Sequence, residues 1–152
     1  MPRVRSLAAL AVAAASLLLG PMADPAAAVT TTTYESDVIK YANVERAKRD
    51  RVRVSPSACL DSYAERWARN MAAKRRLYHQ NLGPILATCK LSEVGENIAF
   101  GFGSGKSVTA AWMASPPHRA NLLNSRHRLI GVGAVKDKYG CWWVSEVLGR
   151  RF

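Results

Sequence analysis

The feature that most constrains this chain is an apolar run near its N-terminus, from Leu7 to Leu19. Two arginines precede the run, and the segment closes on Ala26-Ala27-Ala28, where Ala26 and Ala28 form a small-x-small cleavage pattern. This arrangement predicts a secretory signal peptide over residues 1–28, cleaved after Ala28. A membrane anchor is the weaker interpretation, because a permanent spanning helix needs about 20 apolar residues.

Without this segment, 124 residues remain, which is enough for one domain with a packed core. The whole chain of 152 residues is 49% hydrophobic and 22% charged, too apolar for a disordered polycation. The predicted signal peptide carries two arginines and one aspartate, so the formal charge falls from +11 to +10 when it is removed. We therefore predict one basic domain over residues 29–152, with no separate cofactor domain.

Three cysteines, Cys59, Cys89 and Cys141, allow three pairings that each leave one thiol over. An exported chain meets an oxidising compartment, which favours disulfides. Cys59 begins a helical stretch and Cys89 lies in a polar segment, whereas Cys141 lies in an apolar strand-like run where a buried thiol is stable. We predict a Cys59–Cys89 disulfide and leave open an intermolecular disulfide through Cys141.

The clearest helical pattern lies between residues 55 and 76. Starting at Leu60, six apolar residues recur at i, i+3, i+4, i+7, i+8 and i+11, which is the periodicity of one helix face. Ser55 and Pro56 fit the N-cap and the first helical position. The pattern therefore predicts a helix from Pro56 to about Arg76.

Shorter patterns predict the remaining elements. Further helical segments are expected at Tyr34–Arg49, Ser107–Ala114 and His118–Asn124. Strands are expected at Asn97–Phe100, Leu129–Lys136 and Cys141–Leu148, the last two joined by the hairpin turn Asp137-Lys138-Tyr139-Gly140. Neither of the two later strands alternates apolar and polar residues, so both faces of the sheet should be covered. The predicted fold class is α+β, a three-layer α-β-α sandwich with a small, mostly antiparallel sheet.

Two further motifs have structural explanations that we prefer. The segment from Gly101 to Ser107 is rich in glycine, but Phe100 stands where the first glycine of a phosphate-binding loop belongs, so a flexible loop is expected. The basic clusters at 48–53 and 74–76 lack any accompanying nucleic-acid-binding motif, so we interpret them as solvated helix ends and expect no nucleic acid partner. Attraction to an anionic envelope polymer or to lipid headgroups stays open.

The strongest candidates for metal binding or acid–base chemistry are His79, Glu96 and His118. Two imidazoles and a carboxylate could hold a divalent metal ion or act as an acid–base pair. Their spacing alone is a weak signal for such a site. The third histidine, His127, stands between two arginines and is predicted to lie at the surface.

The order of several motifs resembles the bacterial branch of the CAP superfamily, which comprises cysteine-rich secretory proteins, antigen 5 and pathogenesis-related proteins and is also called the SCP domain. The motifs are His79, Gly95-Glu96-Asn97-Ile98-Ala99, the segment Trp112–Leu123, Ile130-Gly131-Val132-Gly133 and Trp142-Trp143-Val144. The resemblance covers residues 34–149. It implies an α-β-α sandwich with a cleft lined by two histidines and two glutamates, which in some members holds zinc or another divalent cation.

Carried over residue by residue, the resemblance predicts a cleft of His79, Glu96, Ser115 and His118. His79 and His118 are the implied metal ligands. Ser115 stands where the family has its second glutamate, so one carboxylate is missing from the cleft. Asn97 and Asn121 are expected to satisfy backbone groups in the loops that shape it.

The main functional hypothesis is a secreted, monomeric, non-enzymatic CAP/SCP-domain protein. It binds a lipid, a sterol, an envelope polymer or a protein partner at or outside the cell envelope, with a divalent cation such as zinc in its cleft. The alternative is a zinc-dependent hydrolase or peptidase in which His79 and His118 hold the metal and Glu96, as the catalytic residue, activates water. A third hypothesis is an interaction module whose cleft is vestigial. The incomplete tetrad and the lack of a recognisable nucleophile favour the first.

Overall fold

The computed structural model describes residues 28–152, so the predicted signal peptide lies outside the described residues except for Ala28. The described part of the chain forms five helices and four strands. In chain order they are α1 (Thr31–Ala47), β1 (Ser55–Pro56), α2 (Ala58–Lys74), α3 (Gly83–Thr88), β2 (Leu91–Phe100), α4 (Gly105–Ala114), α5 (Pro116–Leu123), β3 (Leu129–Lys136) and β4 (Trp142–Arg151).

The four strands form one sheet in the order β1-β3-β4-β2. The short strand β1 pairs in parallel with β3, while β3 with β4 and β2 with β4 pair antiparallel, which confirms the predicted mostly antiparallel sheet. The turn between β3 and β4 is closed by Asp137, whose side chain accepts hydrogen bonds from the backbone of Tyr139 and Cys141. Strand β2 is an edge strand, and the cleft residues gather along it.

Helices cover both faces of the sheet, which confirms the three-layer α-β-α prediction. On one face, α2 and α3 bury an apolar cluster against β2 and β4, formed by Leu60, Ala64, Ile85, Leu91 and Val147. On the other face, α1, α4 and α5 enclose the largest cluster, which includes Tyr34, Val38, Val108, Trp112, Leu122, Ile130, Trp142 and Leu148. Successive residues of β4 therefore enter different clusters, as the pleat of a strand requires.

Two glycines of β3 allow α2 to lie directly on the sheet. A Cβ atom placed on Gly131 would come within 2.2 Å of the backbone carbonyl carbon of Leu60. A Cβ atom on Gly133 would come within 2.2 Å of the backbone nitrogen of Glu65. Because the obstacle is backbone in both cases, a side chain at either position would push the helix away. The Gly-Val-Gly motif is thus explained by backbone contact between helix and strand.

Local signals misplaced several boundaries in the first half of the chain. The prediction that Ser55 and Pro56 begin the second helix is wrong, because they form β1 and pair with Leu129 and Ile130. Helix α2 begins later, at Ala58. Here tertiary pairing outweighs the local preference of Ser-Pro for a helix start. Helix α1 begins at Thr31, three residues before the predicted start, and ends at Ala47, before the predicted end.

The middle of the chain contains more structure than its weak periodicity indicated. Helix α3 was not predicted, and β2 begins at Leu91 instead of Asn97. The glycine-rich segment ends in a helix start: the side chains of Ser104 and Ser107 form a reciprocal capping box at the start of α4. Helix α5 begins at Pro116, two residues before the predicted start at His118, because proline suits the first helical positions.

The predicted disulfide is confirmed: Cys59 and Cys89 are bonded, with their Cα atoms 5.8 Å apart. It connects the first turn of α2 to the residue that follows α3. The placement of Cys141 inside a strand is wrong, because β4 begins at Trp142 and runs to Arg151. The Cys141 thiol is free and only partly buried in the described structure.

Candidate functional site

The loop after α2 presents His79, and two aromatic rings fix this loop to the helix. The indole Nε1 of Trp67 donates a hydrogen bond of 2.7 Å to the carbonyl of Tyr78. The two rings meet edge to face at 4.7 Å between centroids, and the Tyr78 hydroxyl lies 3.2 Å from the Asn70 side-chain oxygen. His79 follows directly, with 60% of its side chain exposed to solvent.

Glu96 lies on β2 with its side chain only 1% exposed, and all its hydrogen bonds are internal. Its Oε1 lies 2.7 Å from Nδ1 of His79 and accepts a second hydrogen bond from the backbone of Gln80. Its Oε2 accepts hydrogen bonds from the side chains of Gln80, at 2.6 Å, and Ser145, at 3.2 Å. The buried carboxylate is thus surrounded by four donors, two at each oxygen.

Ser115 and His118 form the second half of the site, at the junction of α4 and α5. Ser115 is both the last cap of α4 and the N-cap of α5, and its hydroxyl caps no backbone group. Instead its Oγ lies 2.7 Å from Nδ1 of His118, in the first turn of α5. The serine that replaces the family glutamate therefore orients the imidazole through a neutral hydrogen bond.

Two asparagines connect the halves of the site; they satisfy backbone groups as expected, but from β2 and α5 instead of from loops. Asn97 donates a hydrogen bond of 3.1 Å to the carbonyl of His118. Asn121 donates to the carbonyl of Glu96, at 3.0 Å, and to the side-chain oxygen of Asn97, at 3.1 Å. Because both amides satisfy backbone carbonyls, α5 is held against β2 and His118 keeps its place relative to Glu96.

The pKa of His118 depends on burial and on the neighbouring His79. Burial lowers the pKa of His118 below its ordinary value, and the charge that His79 acquires on protonation lowers that pKa further. His118 is therefore neutral around pH 7. A neutral imidazole has one nitrogen with a lone pair, and at His118 the atom not bonded to Ser115 is Nε2.

A second buried polar group lies on the opposite side of Asn97. Glu146, on β4, is fully buried, and its Oε2 accepts a hydrogen bond of 2.8 Å from the Asn97 amide. No hydrogen-bond partner for its Oε1 exists among the described residues. Burial raises the pKa of Glu146 to about 7, although the Asn97 hydrogen bond and the charge of Arg46 oppose the rise.

Arg46 of α1 is buried as well, and it donates to four backbone carbonyls, one in the loop between α1 and β1 and three between the end of α5 and His127. Its guanidinium donates to the carbonyls of Val52, Leu122, Asn124 and His127, at distances between 2.8 and 3.1 Å. It therefore fixes the loop after α5 to the end of α1. Its position in the sequence carried a signal, since Val38, Ala42 and Arg46 recur at intervals of four on one helix face.

The prediction that His127 lies at the surface is wrong. Its side chain is 1% exposed, with Nδ1 at 3.2 Å from the carbonyl of Asn121. Burial lowers its pKa, so the ring is held neutral. The flanking Arg126 and Arg128 are exposed, but the loop turns the histidine between them inward. The charge of the neighbouring residues was therefore a poor guide to the position of His127.

The donor set at the two histidines falls short of a complete zinc site. Histidines that bind metals usually hold their other ring nitrogen in a hydrogen bond, as His79 and His118 do with Glu96 and Ser115. Catalytic zinc sites use three protein ligands and an open position. Within residues 28–152, no group of three or more His, Cys, Asp or Glu side chains is placed to hold a metal ion.

Gln80 and Ser145 were not identified from the sequence, although both donate to Glu96. Gln80 adjoins a predicted cleft histidine, which is the one local signal that could have suggested it. Ser145 gave a weaker sign, as a polar residue in an apolar strand. Its contact with Glu96 depends on the pairing of β2 with β4, which brings Ile98 opposite Ser145.

The sequence matches a known protein family over most of its length. The model of the cysteine-rich secretory protein family, CAP, matches residues 39–147. The chain belongs to the CAP family. The matched range contains all four cleft residues of this CAP domain, together with Asn97, Asn121 and Glu146.

Relatives of this CAP domain occur in Bacillus subtilis. It is 30% identical over 128 residues to the uncharacterized protein YkwD of Bacillus subtilis (strain 168), covering 80% of this chain and 49% of that protein. A shorter match of 47 residues, at 38% identity, joins it to the uncharacterized membrane protein YlbC of the same organism, covering 31% of this chain and 14% of that one. The chain spans half or less of the length of these relatives.

Two solved structures share the fold. An extracellular protein containing an SCP domain from Bacillus anthracis superposes with a TM-score of 0.73 at 21% identity, covering 87% of this chain and 45% of that one. An outer surface protein from Borrelia burgdorferi gives a TM-score of 0.69 at 21% identity, covering 77% of this chain and 94% of that one. In the described part of this CAP domain, none of the helices has the length and hydropathy needed to cross a bilayer.

Proposed function

We propose that this CAP domain is an exported binding protein that acts at or outside the cell envelope, and that its cleft is a two-histidine site for a divalent cation. Two relatives of the fold are described as extracellular or outer-surface proteins, which supports the location. The predicted signal peptide supports export. Binding, not catalysis, is the activity that the cleft chemistry favours.

The observation that carries this proposal is the state of Glu96. A general base must reach the proton that it removes, directly or through one water molecule. Glu96 is buried and receives four hydrogen bonds, from His79, Gln80 twice and Ser145. Its role in the proposal is therefore to position His79. Ser115, in the place of the second family glutamate, supplies no carboxylate that could act instead.

The metal part of the proposal assigns His79 and His118 as ligands through Nε2. Imidazole nitrogen binds zinc, copper and nickel ions well, whereas calcium and magnesium prefer oxygen. A bound ion would supply a positive centre with open positions for a donor group of a partner. Only two protein donors are available, so we expect the affinity to be lower than that of structural zinc sites.

Titration calorimetry with Zn²⁺ tests the proposal, with calcium as the comparison ion. We expect one zinc ion per chain for the unmodified protein and its loss in both His79→Ala and His118→Ala. The control is His127→Gln, a buried histidine outside the cleft, which should keep the site if the protein remains folded by circular dichroism. Retention of zinc binding in both cleft variants would refute the assignment.

Activity assays separate binding from the hydrolase alternative. The zinc-loaded protein should show no turnover of casein or of small ester substrates beyond that of the His79→Ala/His118→Ala variant. Metal-dependent turnover that disappears in the double variant would overturn the non-enzymatic assignment and favour a peptidase or esterase. Zinc binding without turnover is the expected outcome.

A further inference from the structure

A groove lined by arginines lies at the end of the sheet where β4 ends and β3 begins. It has a volume of about 540 Å³, and four arginine side chains line it: Arg126, Arg128, Arg150 and Arg151. Leu129 and Phe152 add apolar surface to its wall. None of the four cleft residues takes part, so this is a separate surface of the molecule.

Three segments of the chain converge at this end, residues 50–55, 124–129 and 150–152. The backbone of Ser55 donates to the carbonyl of Arg128, and the backbone of Arg128 donates to the carbonyl of Gly149, each at 2.9 Å. The three segments contain one acidic residue, Asp50, and six exposed arginines, which we call the arginine edge: Arg51, Arg53, Arg126, Arg128, Arg150 and Arg151.

Most of this positive charge is not neutralised by the protein. Arg126 forms an ion pair with Glu93, with Nε 2.8 Å from Oε2. Arg128 donates only to the neutral carbonyls of Ser125 and His127. Arg150 and Arg151 make no side-chain hydrogen bond or ion pair to any residue between 28 and 152. The groove therefore offers guanidinium groups, which match the oxygen geometry of phosphate, to a ligand from outside.

Exposed apolar side chains accompany the arginines. Phe152 is 96% exposed, and Val52, between Arg51 and Arg53, is 58% exposed. A hydrated polyanion offers an exposed phenylalanine side chain no apolar surface to bury. At a bilayer surface it transfers apolar area out of water while the neighbouring arginines meet lipid phosphates. The combination of arginine charge with exposed apolar side chains favours a membrane as the partner over a soluble anionic polymer.

We propose that the arginine edge docks this protein on the surface of an anionic lipid bilayer, with lipid phosphates in the groove and with Phe152 and Val52 inserted at headgroup depth. The proposal rests on export to the envelope but not on the metal in the cleft. Failure of zinc binding would leave it intact, and failure of lipid binding would leave the cleft assignment intact.

Flotation with phosphatidylcholine vesicles, with and without phosphatidylglycerol, tests the docking. We expect binding only when phosphatidylglycerol is present, weakened by added salt because counterions screen the arginines. Arg150→Gln/Arg151→Gln should lower the partition coefficient about 30-fold, since each basic side chain near an anionic surface contributes roughly fivefold. Phe152→Ser should lower it several-fold without changing the salt dependence.

The matched control is Lys40→Gln/Lys106→Gln, which removes the same charge beside Tyr41, between α1 and α4. An equal loss of lipid binding in this control would mean that net charge alone drives binding, and would overturn the assignment to the arginine edge. Binding to soluble polyphosphate that is unaffected by Phe152→Ser, with no flotation on phosphatidylglycerol vesicles, would assign the edge to an anionic polymer instead. Absence of both would refute it entirely.

Discussion

Nδ1 of His79 lies 2.7 Å from Oε1 of Glu96, and this contact joins the loop after α2 to the edge strand of the sheet. A carboxylate can only accept hydrogen bonds, so the proton of this bond belongs to the imidazole. The tautomer of neutral His79 is thereby fixed, with the lone pair on Nε2. The pair is thus better suited to orienting a ligand nitrogen than to removing a proton from water.

Glu96→Gln tests this orienting role. The new amide would present an NH₂ group to donors that now point at the carboxylate, so one or more buried hydrogen bonds would be lost. We expect zinc affinity to fall by about 10- to 100-fold, the usual effect of altering a partner of a metal-binding histidine. Calorimetry measures the affinity, and Glu65→Gln, a change at a partly exposed side chain of α2, is the control. Unchanged zinc affinity in folded Glu96→Gln would contradict the role.

Ser115→Glu restores the carboxylate that the family has in this cleft. A negative charge beside Nδ1 of His118 favours the protonated ring, so the pKa of His118 should rise. A third donor should also strengthen zinc binding. Titration of the imidazole by NMR measures the pKa, and calorimetry measures the metal. Ser125→Glu, an exposed change beyond α5, should leave both unaltered. A lower His118 pKa in Ser115→Glu would show that the side chains do not meet.

Glu146→Gln should change how stability depends on pH. The pKa of Glu146 is about 7 in the folded protein, against an ordinary value of 4.5. At a pH between these two values, the carboxyl group is protonated in the folded state and ionised in the unfolded state. Stability from this group is therefore present below its ordinary pKa and is lost as the pH rises through about 7. Glutamine stays neutral, so the variant should be the more stable protein by about 3 kcal/mol at roughly pH 8.

Urea denaturation of both proteins between about pH 5 and pH 8 measures this difference, which should shrink towards the acid end. His127, whose lowered pKa makes it destabilising when the pH falls, is present in both proteins and cancels in the comparison. A difference independent of pH would show that Glu146 does not titrate in this range.

Gly133→Ala should destabilise the fold strongly. The added Cβ would meet the α2 backbone near Glu65 at 2.2 Å, so helix and strand must separate. Overpacking of this kind costs about 1–3 kcal/mol and occasionally more. Gly103→Ala is the matched control, because no atom lies within 4 Å of a Cβ built there. Thermal unfolding of the two variants compares them, and equal midpoints would contradict the close approach.

Local patterns and the family motif correctly predicted the layers and the disulfide. The assignment of the cleft residues stays a prediction. His79, Glu96, Ser115 and His118 could be named because each stands in a short motif whose order along the chain is specific. The hydrogen bonds from Gln80 and Ser145 to Glu96 could not be predicted. They form only where the loop after α2, the edge strand β2 and the central strand β4 meet.

The errors share one physical cause, which is that long-range contacts override local preference. Ser55 and Pro56 form a strand because β3 offers them backbone partners. Arg46 is buried because four carbonyls converge around it, a convergence that no segment of sequence contains. Burial of His127 follows from the same loop.

The contact of Gly131 and Gly133 with α2 has a consequence beyond packing. With no side chain between them, helix and strand cannot slide or rock without a backbone collision, so the pair moves as one rigid body. The loop that carries His79 is fastened to α2 by the hydrogen bond from Trp67 to the carbonyl of Tyr78 and by the contact between the two rings. We therefore expect adjustment to a bound ion or partner at the opposite wall, where His118 lies in the first turn of α5 and Asn97 and Asn121 join that helix to β2.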